Sequence, residues 1–408
     1  MLRILQNRDY ARLFAAQIVA LVGTGLMTVA LGLLAYDLAG ERAGVVLGLV
    51  FTIKMVAYVG LSPLTQAAAH RLPRKAVLIG ADLARAATVL ALPFVTEIWQ
   101  VYVLVFVLQA ASATFTPTYQ AVLPDILPDE AEYTRALSLS RLTYDLENLA
   151  SPALAGLALL FVSFDALFLG TALGFLGSAA LVWRSRVPTP EGGPERSFLD
   201  RATRGIRLYL ATPRLRGLLA LTLVAAAPGA IVLVNTVVLA RERFGMGETG
   251  LAVAMAAFGA GSMAAALALP RLLDRAGDRP VMIPAAAALA GVSLAAGLWL
   301  SAGTPGWAGF LALWALIGFL YSAVLTPSGR LIRRSSDAGD RPALFAAQFA
   351  LSHACWLITY PLAGWAGAAL EQGAALALMG ALAVAALGLA TRLWPATGQA
   401  RGHVGKGL

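Results

Sequence analysis

The chain is a succession of long apolar runs separated by short polar punctuation. Twelve runs can be marked, at approximately 13–38, 43–66, 76–96, 99–122, 136–162, 164–183, 215–240, 247–270, 280–301, 305–327, 342–368 and 372–394. Each is long enough to cross about 30 Å of hydrocarbon as an α-helix. A helix satisfies its own backbone in lipid, whereas an open strand does not. The pattern therefore predicts an all-α polytopic membrane protein with twelve transmembrane helices. The first run follows Arg3, Arg8 and Arg12, exceeds the apolar core of a signal peptide and lacks a convincing cleavage site. It is expected to be the first span and not a removed leader.

Composition agrees. Of 408 residues, 59% are apolar, or about 241, and 13% are charged. That is about half the charge of a soluble domain, too little to coat one. Twelve spans need about 240 apolar residues. A single cysteine, Cys355, excludes a disulfide framework and a Cys-based zinc site. His70, His353 and His403 lie far apart with no His-x-x-x-His spacing, and no phosphate-binding GxxxxGK[ST] loop is present. No metal or other cofactor is expected, and no attached ATPase.

The net charge of +9 would suggest nucleic acid if the basic residues did not flank the apolar runs. Loops on the N-terminal side hold Arg71, Arg74 and Lys75; Arg135; eight arginines from Arg184 to Arg216; Arg271, Arg275 and Arg279; and Arg330, Arg333, Arg334 and Arg341. Loops on the other side hold Arg42, Arg241 and Arg243. The positive-inside rule predicts both termini in the cytoplasm. Arginine outnumbers lysine 28 to 3, which hints at a GC-rich bacterial genome and hence a bacterial inner membrane.

The longest linker, 184–214, opens with a Pro/Gly/charge stretch and continues as FLDRATRGIRLYLATP. Phe198, Ile206 and Leu210 can share a face rimmed by arginines, which predicts an amphipathic helix at the membrane surface. The expected organisation is a six-helix bundle over 1–183, the linker 184–214, a second bundle over 215–394 and a tail over 395–408. The halves look duplicated. QAAAHRLPRK (66–75) and PRLLDRAGDR (270–279) each end a span, carry an arginine at the sixth position and stand 204 residues apart.

At these residues the chain resembles the major facilitator superfamily of transporters, whose signature loop runs roughly G-x-L-A-D-R-x-G-R-K. In the second copy Leu272, Asp274, Arg275 and Gly277 fall in register, with Asp278 and Arg279 in the last two places. The first copy keeps Arg71, Arg74 and Lys75 but has His70 for the acid, Pro73 for the second glycine and Gln66 for the first. The resemblance implies a conformational latch between the halves at these residues. It leaves open whether His70 makes the first latch pH-sensitive or is a solvated loop residue. In span five, Ser151-Pro152-Ala153-Leu154-Ala155-Gly156 resembles a degraded form of the family's G-P-x-x-G-G antiporter motif, which implies export. Generic small-residue packing is the other reading. The arginine expected in span four of many drug exporters is absent, with Gln109 the polar residue there. The opening stretch and the PDILPDE segment are similar to the enterobactin-exporter-like branch.

Ionisable residues deep in a span cost about 3 kcal/mol each on insertion scales. Lys54, Asp145 and Glu147 lie near mid-depth, and Arg141 can pair with Asp145 at i, i+4. Glu147, without a basic partner on its own helix, is the first choice for a proton-coupling acid; a static ion pair with Lys54 is the alternative. Asp82 and Arg85 read as structural partners of the signature loop. Gln109, Phe115, Tyr119, Asn235, Gln348 and His353 are candidate cavity residues. The leading expectation is a proton-coupled secondary exporter of a small, partly hydrophobic solute, monomeric in the lipid bilayer, with no nucleic-acid partner and no enzymatic activity. Proton-coupled import of a metabolite and a non-transporting membrane sensor are the alternatives.

Overall fold

In the computed structural model, the described residues are 2–39, 43–69, 72–159, 161–188, 197–246, 248–303 and 306–395. They form fourteen α-helices: α1 (Arg8–Ala39), α2 (Ala43–Ala69), α3 (Arg74–Ala91), α4 (Ile98–Ile126), α5 (Glu130–Ala158), α6 (Phe164–Arg184), α7 (Phe198–Ala211), α8 (Pro213–Val238), α9 (Glu248–Ala276), α10 (Asp278–Ala302), α11 (Trp307–Leu325), α12 (Ser328–Arg334), α13 (Arg341–Ala369) and α14 (Gln372–Leu393). Twelve are long. The exceptions are α7, the linker helix, and α12, which follows α11 after a short break.

Among the described residues, eleven of the long helices hold a stretch long and apolar enough to cross a membrane. The sequence of α5 carries Glu130, Glu132, Arg135, Arg141, Asp145 and Glu147 along its length. It packs against α1 and α9.

The long helices alternate in direction. Arg12 Nη1 at the start of α1 donates to the Arg184 carbonyl at the end of α6 (2.7 Å), and Arg279 Nε at the start of α10 donates to the Trp394 carbonyl after α14 (2.9 Å). The face that gathers these ends, together with α7 and α12, is called the terminal face below. On the opposite, far face Arg243 pairs with Glu371 at 2.8 Å and donates to the Gly303 carbonyl. The turn from α9 to α10 takes one residue. Gly277 adopts φ +81°, the left-handed region that glycine enters without penalty.

Each half has its own apolar core. Residues from Ile4 to Val182 form two buried clusters, one toward each face. Residues from Tyr209 to Trp394 form one large cluster, joined by Ala121 from the first half. Small residues set the closest crossings, as is usual between helices in lipid. A Cβ added at Gly261 of α9 would sit 1.8 Å from the Ala315 carbonyl oxygen, and one at Gly318 of α11 would sit 2.0 Å from that of Phe258. Gly23 of α1 packs on Thr171 of α6, whose hydroxyl donates to the Gly23 carbonyl at 2.8 Å.

Asp82 and Arg85, 0% and 5% exposed, pair with each other inside α3. The Arg85 guanidinium lies between the rings of Phe115 and Phe175, 4.3 and 4.5 Å from their centroids. A buried pair of this kind is costly to break from one side, because the partner left behind keeps an uncompensated charge. Arg85→Ala is therefore expected to lower stability by about 3–5 kcal/mol, read as a fall in the thermal unfolding midpoint in detergent. Asp82→Asn combined with Arg85→Met should recover most of the loss; equal damage in the single and double variants would argue against the charge-based account.

Candidate functional site

The halves meet most firmly at the terminal face. Arg341, the first residue of α13, and Arg74, the first of α3, both pair with Asp125 near the end of α4, Arg74 at 2.6 Å. Arg330 of α12 pairs with Glu130 of α5 at 3.1 Å and with Asp278 of α10 at 2.9 Å. Arg334 reaches the same two acids at 2.5 and 2.6 Å. Arg330 Nη1 also donates to the Thr134 hydroxyl (2.8 Å), and Arg333 lies over the Tyr133 ring, 5.2 Å from its centroid.

The linker helix α7 braces this closure from both sides. Its N-cap Ser197 accepts from the Asp200 amide at 3.2 Å, the hydrogen bond that starts such a helix. Arg204 holds Asp340 through two bonds of 2.7 and 2.8 Å, and these keep its guanidinium pKa above the ordinary value. Arg201 Nε donates to the Ala67 carbonyl at the end of α2 (3.3 Å). Tyr209, fully buried, donates to Gln348 of α13.

Deeper in, the contact changes from charged to aromatic. Tyr58 of α2 meets Phe349 and His353 of α13, with ring centroids 4.8 and 4.7 Å apart. Lys54 places its ammonium 5.7 Å from the Tyr58 centroid. Tyr58 lies 11 residues from the terminal end of α2, roughly 16 Å at 1.5 Å per residue, so the contact is near mid-depth. His353 Nδ1 lies 2.7 Å from the Phe349 carbonyl. A carbonyl only accepts, so Nδ1 carries the proton, and in the neutral ring Nε2 is left as an acceptor.

The stripe continues along α13. Phe349, His353, Trp356 and Tyr360 are spaced four, three and four apart, which places them on one helix face. Trp356 meets Tyr321 of α11 at 6.2 Å, and Tyr321 meets Phe258 of α9 at 5.5 Å. Gly229 of α8 lets these rings seat: a Cβ there would stand 2.8 Å from Trp356 and 3.2 Å from Tyr321. Half-buried rings of this kind bind flat or apolar surface and still direct polar tips at a guest.

Of the residues singled out from sequence, Lys54 and His353 come together here. Gln348 is one turn nearer the terminal face, held by Tyr209. Phe115 and Tyr119 stack at 5.9 Å in the core of the first half, where the Tyr119 hydroxyl meets Gln17 at 3.1 Å; Gln109 is buried on the same helix. Asn235, 3% exposed, donates to Gln372 of α14 at 2.9 Å, near the far face. In the second signature loop Asp274 faces Arg330 at 3.4 Å, Gly277 makes the turn, Arg279 holds the end of α14, and Arg275 closes the last turn of α9. In the first loop Arg74 takes part in the closure, and Lys75 follows it in α3. His70 and Arg71, and the side chains of Arg141, Asp145, Glu147, Ser151, Pro152 and Gly156, lie outside the described residues. Asp82 and Arg85 are partners of each other. The aromatic stripe of α13 and the acids Asp125 and Glu130 were not singled out, although the four-three-four spacing of the rings is visible in the sequence.

Residues 13–308 match the profile of the Major Facilitator Superfamily. The chain belongs to this superfamily. Among curated relatives it is 31% identical over 123 residues to the uncharacterized MFS-type transporter YfiS of Bacillus subtilis, covering 30% of this chain and 29% of YfiS. It is 25% identical over 181 residues to Macrolide efflux protein A of Streptococcus pyogenes, covering 43% of this chain and 44% of that protein. Both matches thus span less than half of the relative. The superfamily fold extends over nearly the whole chain. The human organic anion transporter MFSD10 superposes with a TM-score of 0.78 at 13% identity, covering 94% of this chain and 99% of that one. A bacterial homologue of the iron transporter ferroportin, in an outward-facing state, superposes with a TM-score of 0.76 at 15% identity over 94% and 98%. The superfamily is one of transporters, not enzymes.

The docking of α7 depends on Gly205, where a Cβ would stand 2.1 Å from the Ala343 carbonyl oxygen of α13. Gly205→Val is expected to lift α7 away, so that trypsin cleaves at Arg204 and Arg207 at least about tenfold faster than in wild type, an effect of local opening. Equal cleavage rates would show that α7 does not rely on this approach.

Proposed function

We propose that this chain is a secondary active exporter that moves a small, partly hydrophobic solute by alternating access, coupled to protons. The observation that carries the reading is the aromatic wall at mid-depth, where Tyr58 of one half meets Phe349 and His353 of the other and Trp356, Tyr360 and Tyr321 extend the surface. Binding at mid-depth between two parallel repeats is the arrangement from which rocking of one half against the other exposes a solute to either side. The similarity to macrolide efflux proteins supports export of an apolar, ring-containing solute, as does the antiporter-like stretch Ser151, Pro152 and Gly156.

The moving bodies are residues 1–183 and 215–394, joined by 184–214, working as a monomer in a bacterial inner membrane. With both termini cytoplasmic, the closed terminal face is the cytoplasmic gate and the solute site faces outward. Glu147 is the coupling acid. Its protonation changes the balance between the two orientations, while Arg141 holds Asp145 ionised and Lys54 orients the solute over Tyr58.

The test is proton movement and solute flux in oriented proteoliposomes, with a macrolide and a hydrophobic organic anion as first probes. Glu147→Gln is expected to abolish uphill efflux while leaving the protein folded; uphill efflux at the wild-type rate would remove Glu147 from the mechanism. Trp356→Ala is expected to weaken the apparent affinity for the transported probe about tenfold, the scale of one lost aromatic contact. An unchanged affinity would move the solute site off α13.

A further inference from the structure

Two polar groups of opposite kind flank one ring at mid-depth. Lys54 Nζ stands 5.7 Å from the centroid of Tyr58, and the imidazole of His353 stands 4.7 Å from the same centroid, edge-on at 84°. They come from different halves, Lys54 from α2 and His353 from α13. An ammonium donates and never accepts. His353 commits its proton-bearing Nδ1 to the Phe349 carbonyl of its own helix at 2.7 Å, so in the neutral ring Nε2 only accepts. The surroundings are flat rings. Phe349 lies 4.3 Å from the imidazole, and Trp356, one turn further along α13, meets Tyr360 at 5.1 Å. Lys54, Tyr58, His353, Trp356, Tyr360 and Tyr321 are all half-buried, so each leaves part of its surface for a guest.

We infer that the solute selected here is a flat aromatic acid that also carries a hydroxyl or N–H group. Its anion faces Lys54, its ring lies against the aromatic wall and its donor meets Nε2 of His353. Each group reads one feature of the guest. At Lys54 the sign of charge decides: an anion is drawn to the ammonium, and a cation meets like charge. At Nε2 the presence of a donor decides. A hydroxyl gives the lone pair a partner, whereas a methyl ether displaces water from it and leaves it unpaired. A site built to hydrogen-bond a group rejects the analogue that lacks it for this reason. The rings take the flat body and are indifferent to both features. Preference for acid and preference for donor therefore rest on different residues, one in each half, and separate by mutation. This inference rests on the proposed function only in taking the mid-depth wall as the solute site; it adds the substrate class.

The experiment measures equilibrium binding to the full chain in nanodiscs by isothermal titration. The probes are hydroxynaphthoate isomers, which vary the separation of anion and hydroxyl, their methyl ethers, and a naphthylmethylammonium cation. The best hydroxynaphthoate is expected to bind at least about tenfold tighter than its methyl ether and than the cation, the scale of one hydrogen bond or one charged contact. His353→Phe should abolish the preference for hydroxyl over ether and keep that for acid over cation. Lys54→Met should do the reverse. If either variant fails to fold, the conservative ones decide: Lys54→Arg should keep the acid preference, and His353→Gln, whose amide retains an acceptor, should keep part of the hydroxyl preference. Equal binding of hydroxy acids and ethers, tighter binding of the cation, one substitution that abolishes both preferences, or no binding of any probe overturns the inference. The expected order of binding without uphill efflux of the bound acid from proteoliposomes would remove the exporter reading and leave this site standing. Uphill efflux of a macrolide by a chain that binds no naphthoate would do the opposite.

Discussion

Lipid sets the constraint from which the rest of this molecule follows. A segment crossing hydrocarbon has to pair its own amides and carbonyls, so each of the twelve long elements is a helix. The backbone is then largely spent within each helix, and few of its carbonyls, such as that of Ala346 reached by Ser62, join one half to the other. The halves must be held by side chains, and strong polar side chains are tolerated chiefly where helices end. Charged residues accordingly carry the closure at the terminal face, and buried or half-buried aromatic rings take over at mid-depth. The change from arginine–carboxylate pairs to Tyr58, Phe349 and His353 follows the change in surroundings from wet to dry.

The fold was legible because apolar run length is a direct report of membrane thickness. The twelve runs reappear as twelve long helices, with ends shifted by a few residues. The larger shifts are at the terminal face, where α4 runs on to Ile126 and α9 to Ala276. Hydropathy loses contrast there, because a helix that continues out of the hydrocarbon is free to be polar. The signature loop was legible for a related reason: Gly277 is needed for a one-residue turn that Pro73, at φ −56°, replaces with an extended approach to α3.

The site was less legible. Sequence shows which residues share a helix face but not which helices face each other. Lys54 and His353 were singled out separately, for being polar in apolar runs; that they share the ring of Tyr58 depends on the packing of α2 on α13. The closure residues were hidden for another reason. Asp125 and Glu130 fall in the PDILPDE segment, which drew notice for a resemblance and not for any partner. Asp125 finds its partners 51 and 216 positions away, Glu130 finds its own in Arg330 and Arg334 of the other half, and no local pattern connects them.

The low hydropathy of α5 bears on how the chain reaches the bilayer. Six charged side chains along one helix lower what that segment gains by partitioning into lipid alone. Its neighbour α1, made earlier, is one surface that can receive it. Its other neighbour, α9, is synthesised more than a hundred residues later. Between those two events α5 is a helix without half of its final surroundings. The contacts of α5 are therefore complete only once the second half has been made.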